Sequence, residues 1–316
     1  MDFKNRVALI SGSGGFIGKN LAGLLIEKGC RVAGLPRALL LDPVALQAYL
    51  KEIHPDYIFH LAAYGNHYQQ TQEDEIFSTN VFKTYALLAA SLKTKYSAFI
   101  NISTSSVYGE YDKPLIEDLP LTGKGFYART KVCSEQLVKA FVDKFDKPIV
   151  NVRPFSVYGP GEARHRLIPT IVRSFFRDEK LTVYPDPVHD WIYVEDFING
   201  LFKVADQAFD LRGQDINIGT GIQTSNKNVL EMLLSYSGAK PDLEYKDSDR
   251  ANDTSHWCAD ITKIKKLGWK PKFTLEKGLK DTFEYYKSYY TQERKEPTLK
   301  EIMDKSLKDV GASPIE

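Results

Sequence analysis

The sequence predicts an α/β protein: a doubly wound parallel sheet with a smaller, interwoven C-terminal lobe. Three observations predict it. Short apolar runs alternate with amphipathic stretches through the first half, a glycine cluster stands where the first run meets the first helix, and beyond Arg153-Pro154 the alternation loosens into loops marked by Gly and Pro. Strands that alternate with helices pair in parallel through right-handed crossovers. With 316 residues the chain can bury a large core and has room for a nucleotide-binding domain plus a second lobe.

The elements follow in order. Val7 to Ile10 is an apolar strand that stops at a Gly/Ser cluster, and Leu21, Leu24 and Leu25 then recur at helical spacing. A second strand, Cys30 to Leu35, ends at Pro36-Arg37. Asp42-Pro43 opens the next helix, with Asp as the cap and Pro at the first helical position, and that helix runs to about Ile53. Tyr57–Ala62, Ala98–Ser103 and Ile149–Arg153 read as buried strands, with helices at Ile76–Leu92 and Tyr127–Phe145 between them. Shorter elements follow at Leu167–Phe176, Leu181–Tyr184, Asp190–Val204 and Asp215–Ile218. The expected division is a Rossmann-type dinucleotide-binding domain over residues 1–155, with segments returning to it near 186–220 and 255–265. A lobe over 156–291 and a polar tail over 292–316 complete it.

Composition narrows the partners. Lys and Arg number 42 against 41 Asp and Glu, so no charge excess points to nucleic acid or an anionic membrane surface, and a small molecule is expected. Cys30, Cys133 and Cys258 are odd in number and far apart, which suits neither a disulfide framework nor a zinc site, so a reducing, cytoplasmic setting and no metal are expected. Met1 to Leu9 runs straight into a strand-like segment, and no apolar stretch approaches the roughly 18–20 residues of a membrane span.

Chemistry-bearing residues cluster at three places. Gly12, Gly15 and Gly18, with Phe16 and Ile17 between the last two, sit at the first strand–helix junction. There glycine allows a tight turn and close approach of a pyrophosphate, and the helix start offers N–H groups to the anion. Tyr127 and Lys131 lie four apart on a helix, so phenol and ammonium share a face, and the cation is expected to pull the phenol toward the range where it exchanges protons near neutrality. The run Asn101 to Gly109, rich in hydroxyls, lies at the C-terminal end of a central strand, the edge where open α/β sheets bind ligands. A lone glycine pattern, or a lone Tyr and Lys four apart, is common in any chain; three markers in this order are not.

With these residues the sequence resembles the extended short-chain dehydrogenase/reductase family of sugar-nucleotide epimerases, dehydratases and reductases, from Val7 to about Tyr286. The likeness includes His60-Leu61-Ala62-Ala63, Asn80, Arg153 to Pro160, Asp190 to Asp196, Ala259 to Lys263 and Leu267-Gly268-Trp269. It implies Tyr127 as general acid/base, Lys131 on the nicotinamide ribose, and Thr104 as the hydroxyl partner. It further implies cofactor contacts from Gly12, Gly15, Phe16, Ile17, Gly18, Arg37, Leu61, Ala62, Ala63 and Pro154. Substrate contacts would come from Ser105, Ser106, Ser156, Leu167, His189 and Arg250, and a homodimer through the helices at Ile76–Leu92 and Tyr127–Phe145 is implied too.

Departures from the family pattern suggest the reaction. Relatives that prefer NAD place an acid after the second strand, whereas this chain has Pro36-Arg37, which favours NADP(H) while NAD(H) stays possible. Dehydratases carry an acid just after the catalytic Thr, where Ser105-Ser106 stand here. Arg166 replaces the His that serves double epimerisation, and His189 replaces a more usual Arg. The short segment between second and third strands is similar to that of 4-keto-6-deoxy-sugar reductases acting on GDP- or CDP-linked sugars. NADPH-dependent 4-keto reduction is thus expected, with an NAD-recycling 4-epimerase as the alternative. A non-catalytic dinucleotide sensor is opposed by the intact Tyr127/Lys131 pair.

Overall fold

The computed structural model describes residues 3–177, 179–247, 256–291 and 300–302. Arg250 and most of the expected tail lie outside the described residues. The first half runs β1 (Val7–Ser11), α1 (Phe16–Glu27), β2 (Arg31–Leu35), α2 (Pro43–Ile53), β3 (Tyr57–His60), α3 (Glu73–Phe77), α4 (Lys83–Ser91), β4 (Ala98–Ile102), α5 (Gly125–Phe145) and β5 (Ile149–Pro154). The second runs β6 (Ser156–Tyr158), α6 (Leu167–Ser174), β7 (Leu181–Val183), β8 (Val188–Tyr193), α7 (Val194–Asp206), β9 (Asp215–Ile218), β10 (Gln223–Ser225), α8 (Asn226–Ser237), β11 (Leu243–Tyr245), α9 (Thr262–Lys266) and α10 (Leu275–Thr291).

Six strands form one parallel sheet in the order β2-β1-β3-β4-β5-β9. Every residue of β1, β3 and β4 is buried, which is why these strands read as continuous apolar runs rather than alternating ones. The alternation of the pleat survives in the packing. Ala8, Ile10, Phe59 and Ile100 meet α1 and α7 through Leu21, Leu25, Phe197 and Leu201, while Leu9, Ile58 and Phe99 meet α2, α4 and α5 through Leu50, Leu88 and Val138. A separate apolar cluster joins α6, α8 and α10 through Ile168, Ile171, Leu230, Leu233, Leu279 and Phe283.

Local chemistry sets the helix ends. Asp42 caps α2 as its sequence position predicts, its side chain accepting from the amides of Val44 and Ala45 at 3.0 Å each. The expected helix Ile76–Leu92 instead starts at Glu73 and is interrupted by a π turn, Ser78–Phe82, between α3 and α4. Asn80 lies in that turn and spends its side chain on tertiary partners, accepting from Tyr64 N at 3.0 Å and donating to Tyr64 O at 2.8 Å and Thr130 Oγ1 at 3.0 Å. The segment Asp190–Val204 divides into β8 and α7, because Trp191 to Tyr193 pair with β6.

Candidate active site

Parallel pairing brings the C-terminal ends of β1, β3, β4 and β5 to one edge, and the residues singled out by sequence gather there. Gly12 has φ +73°, and a Cβ on it would lie 2.9 Å from the Ala62 amide nitrogen; one on Gly18 would lie 2.3 Å from the Gly12 carbonyl. Both positions therefore exclude a side chain. Gly15 caps α1 with extended backbone and no side-chain hydrogen bond, leaving the helix start open to an anion. The loop, with Leu61 and Ala62 alongside, is a cradle that a Cβ would fill, and it fits a dinucleotide pyrophosphate.

A buried hydrogen-bond chain fixes this junction. The Thr84 hydroxyl donates to Asn80 O at 2.8 Å, so it accepts from His60 Nε2 at 2.9 Å, which leaves Nδ1 to accept from the Ser11 hydroxyl at 2.6 Å. Ser11 Oγ in turn accepts from Ala62 N at 3.2 Å. Burial, with Lys131 nearby, drives the His60 imidazole down to about 3, so it is neutral here.

Beyond β4, Thr104 Oγ1 accepts from Ser106 N at 3.2 Å and donates to Ser106 Oγ at 3.2 Å. The phenol of Tyr127 enters from the first turn of α5, and the Thr104 hydroxyl acts on it to favour its ionised form. Asn80 steadies that turn through Thr130, whose hydroxyl donates to Tyr127 O at 2.8 Å. Lys131 is 1% exposed and donates to the Ile102 carbonyl at 2.6 Å. Burial lowers its ammonium to about 8, with Glu135 opposing.

The electrostatics correct one expectation. Burial raises the Tyr127 phenol above its ordinary value, and the groups that oppose this are the Thr104 hydroxyl and the Arg166 guanidinium. Lys131 is turned onto the end of β4 instead. Arg166 thus joins the site, although the sequence offered it only as the residue in place of a His; its Nη2 donates to Asn66 O at 3.3 Å. Glu162 is a second residue that sequence reasoning passed over, since its burial is set by partners far along the chain.

The remaining candidates separate. Ser105 is buried beside Thr104, Pro154 ends β5, Ser156 opens β6 and Leu167 opens α6. Ala63 is exposed next to the glycine loop. Arg37 follows β2 as expected, and it is ion-paired to Glu75. His189 packs edge-on against Trp191, ring centres 4.9 Å apart, in a strand paired with β10. Asp190 acts as a structural clasp, accepting from Thr220 N at 2.7 Å, Gly221 N at 2.9 Å and Ala259 N at 3.1 Å. Among the described residues no cluster of His, Cys, Asp or Glu could hold a metal, and no helix is long and apolar enough to cross a membrane.

The profile of the NAD dependent epimerase/dehydratase family matches residues 8–219. The chain belongs to that family. It is 36% identical over 212 residues to a low-salt glycan biosynthesis protein of Haloferax volcanii, covering 66% of this chain and 68% of that protein. It is 29% identical to a dTDP-glucose 4,6-dehydratase of Shigella flexneri, covering 78% of this chain and 76% of that protein. The crystal structure of UDP-glucuronic acid 4-epimerase from Bacillus cereus, in complex with UDP-glucuronic acid and NAD, matches with a TM-score of 0.79 at 28% identity, over 90% of this chain and all of that one. The family and the Rossmann-type fold are therefore shown, and the chain is an enzyme of the NAD-dependent nucleotide-sugar epimerase/dehydratase family.

Proposed function

We propose that the protein reduces the 4-keto group of a nucleotide-linked 6-deoxy sugar, GDP- or CDP-linked forms favoured, with NADPH. The observation that carries this reading is the end of β2. Arg37 stands where an NAD-holding acid would stand, its side chain is 66% exposed, and it shares the Glu75 carboxylate with Lys83, whose Nζ lies 3.1 Å from Glu75 Oε1. Two cations around one carboxylate leave positive charge for a 2′-phosphate, and the guanidinium fork matches phosphate geometry. Ser105-Ser106 lack the acid that water elimination needs, which sets dehydration aside.

On this reading Gly12, Gly15, Phe16, Ile17, Gly18, Leu61, Ala62, Ala63 and Pro154 hold the dinucleotide, which supplies hydride when bound. Lys131 holds its ribose. Thr104 and Tyr127 bind the sugar's carbonyl oxygen, with Ser105, Ser106, Ser156, Leu167, His189 and Arg250 as further substrate contacts. Tyr127 gives its proton to that oxygen as the carbon is reduced, and is reprotonated from solvent. A phenol held protonated by burial suits this direction, since a reductase begins by giving a proton. The working unit is read as a homodimer.

The test is net NADPH oxidation by 4-keto-6-deoxy sugars linked to GDP, CDP, dTDP and UDP. Tyr127→Phe should cut turnover by about 10²–10⁴. No turnover across all four forms would sink the reductase reading. The second reading, a 4-epimerase that retains and recycles NAD, is favoured by the likeness to 4-epimerases such as the Bacillus cereus enzyme. Mass spectrometry of the nucleotide released on denaturation separates the two: near-stoichiometric NAD supports the epimerase, whereas an empty site or NADP(H) supports the reductase.

A further inference from the structure

Two loops anchored beside the glycine cradle also hold each other. The first, 61–72, begins with Leu61 and Ala62 against Gly12, and Asn80 pins both the amide and the carbonyl of its Tyr64. The second, 159–166, joins β6 to α6. Asn20 of α1 donates to Pro160 O at 3.0 Å, and the Tyr286 hydroxyl of α10 donates to Glu162 O at 2.6 Å. The loops touch at adjoining residues: the His67 and His165 ring centres lie 3.6 Å apart, and Arg166 Nη2 donates to Asn66 O at 3.3 Å. Parting these contacts separates the loops while each stays anchored at its root.

The contact suits neutral imidazoles. His67 Nδ1 accepts from Gln69 N at 3.4 Å, so a proton added there would face a second N–H. Tyr68 packs on the same ring, centres 4.4 Å apart. On the second loop Arg164 and Arg166 flank His165 with positive charge, and Arg164 lies over the Tyr289 ring of α10, 4.9 Å from its centre. The one acid of that loop, Glu162, is pushed up to about 8 by burial and is therefore neutral at lower pH. Among these groups no anion offsets a proton on either ring. Partial burial, His67 and Arg166 together hold His165 below its ordinary value. A value lowered in this way means that the contact is complete above about 6.5 and is lost as the pH falls.

We propose that His67 and His165 form a proton-sensitive clasp: as neutral rings they hold the two loops together and retain the dinucleotide, and on protonation they part and release it. The clasp needs a dinucleotide in the cradle and is indifferent to whether the enzyme is a reductase or an epimerase.

The test is the dissociation rate of NADPH and of NADH, followed by their own fluorescence after mixing with excess NADP or NAD, at about pH 7.5 and about pH 5.5. In the wild type, release should quicken at least about fivefold at the lower pH. His67→Phe with His165→Phe keeps two stacked rings and removes every nitrogen that could titrate. It should match the wild type at about pH 7.5 and change less than about twofold on acidification. His165→Phe alone, at an exposed position, should already remove most of the pH dependence. A wild type whose release ignores pH would overturn the clasp, and so would variants that quicken as much as the wild type. Fast release from the double variant at both pH values would reduce the pair to fixed packing and overturn it as well. A wild type that retains NADH and fails to bind NADPH would sink the reductase reading while its pH response still decides the clasp.

Discussion

Arg37 has two possible anions to serve. In the free protein it holds Glu75, whose carboxyl is drawn down to about 2 by hydrogen bonds from Thr79, Lys83 and Arg37. A 2′-phosphate would replace that partner with a doubly charged, bidentate one. Arg37→Ala should therefore raise the KM for NADPH by about 10–100-fold while leaving NADH nearly unchanged; equal effects on the two cofactors would show that Arg37 points away from the ribose. His60 carries a prediction in pH. Its folded value, about 3, lies below its unfolded value of about 6.5. Between the two the unfolded chain binds the extra proton, so this contribution to stability is complete above about 6.5 and lost as the pH falls toward 3. The urea midpoint should thus drop less from pH 7 to pH 5 in His60→Gln than in the wild type, and an equal drop would place acid sensitivity elsewhere.

Helices and strands are held together at the site by Arg153, which is 1% exposed. From β5 it bonds Glu135 of α5 through Nε at 2.9 Å and Nη2 at 2.8 Å, Asp215 of β9 at 2.8 Å and the Tyr108 hydroxyl at 2.9 Å. Removing the cation leaves the buried Glu135 carboxylate without its ion pair, while Asp215 keeps Lys139 at 2.8 Å. Arg153→Met should cost about 3–5 kcal/mol in denaturant unfolding, and adding Glu135→Leu should recover part of it; a loss below 1 kcal/mol would mean that water replaces the guanidinium. What was legible in the sequence follows from the range of the forces. The approach of Gly18 to Gly12, the Asp42 cap and the periodicity of α5 depend on neighbours a few residues away, so they were readable. The π turn at Asn80 depends on Tyr64 and Thr130, the place of Glu162 on Tyr286, and the hydrogen bond of Lys131 on Ile102, so none of these left a local signal.

At the scale of the whole molecule, an apolar patch lies outside the cores on α4 and α5. Phe82, just before α4, is 58% exposed, Tyr85 in α4 is 48% exposed, and Phe145 at the end of α5 is 40% exposed. Tyr85 meets Phe141 of α5 edge-on at 5.9 Å and Phe141 meets Phe145 at 5.6 Å, so these three aromatics form a row across both helices. α5 also carries Tyr127 and Lys131, and a second copy packed on this row would brace the helix that presents them. A stable interface of this kind buries about 800 Å² on each partner. Sedimentation should therefore show a dimer at micromolar concentration, and Phe82→Glu with Tyr85→Glu should give a folded monomer with lower turnover, because α5 loses its support while every group facing the sugar is kept. A wild-type monomer would refute the dimer, and a monomeric variant of full activity would show that each chain holds its phenol in place unaided.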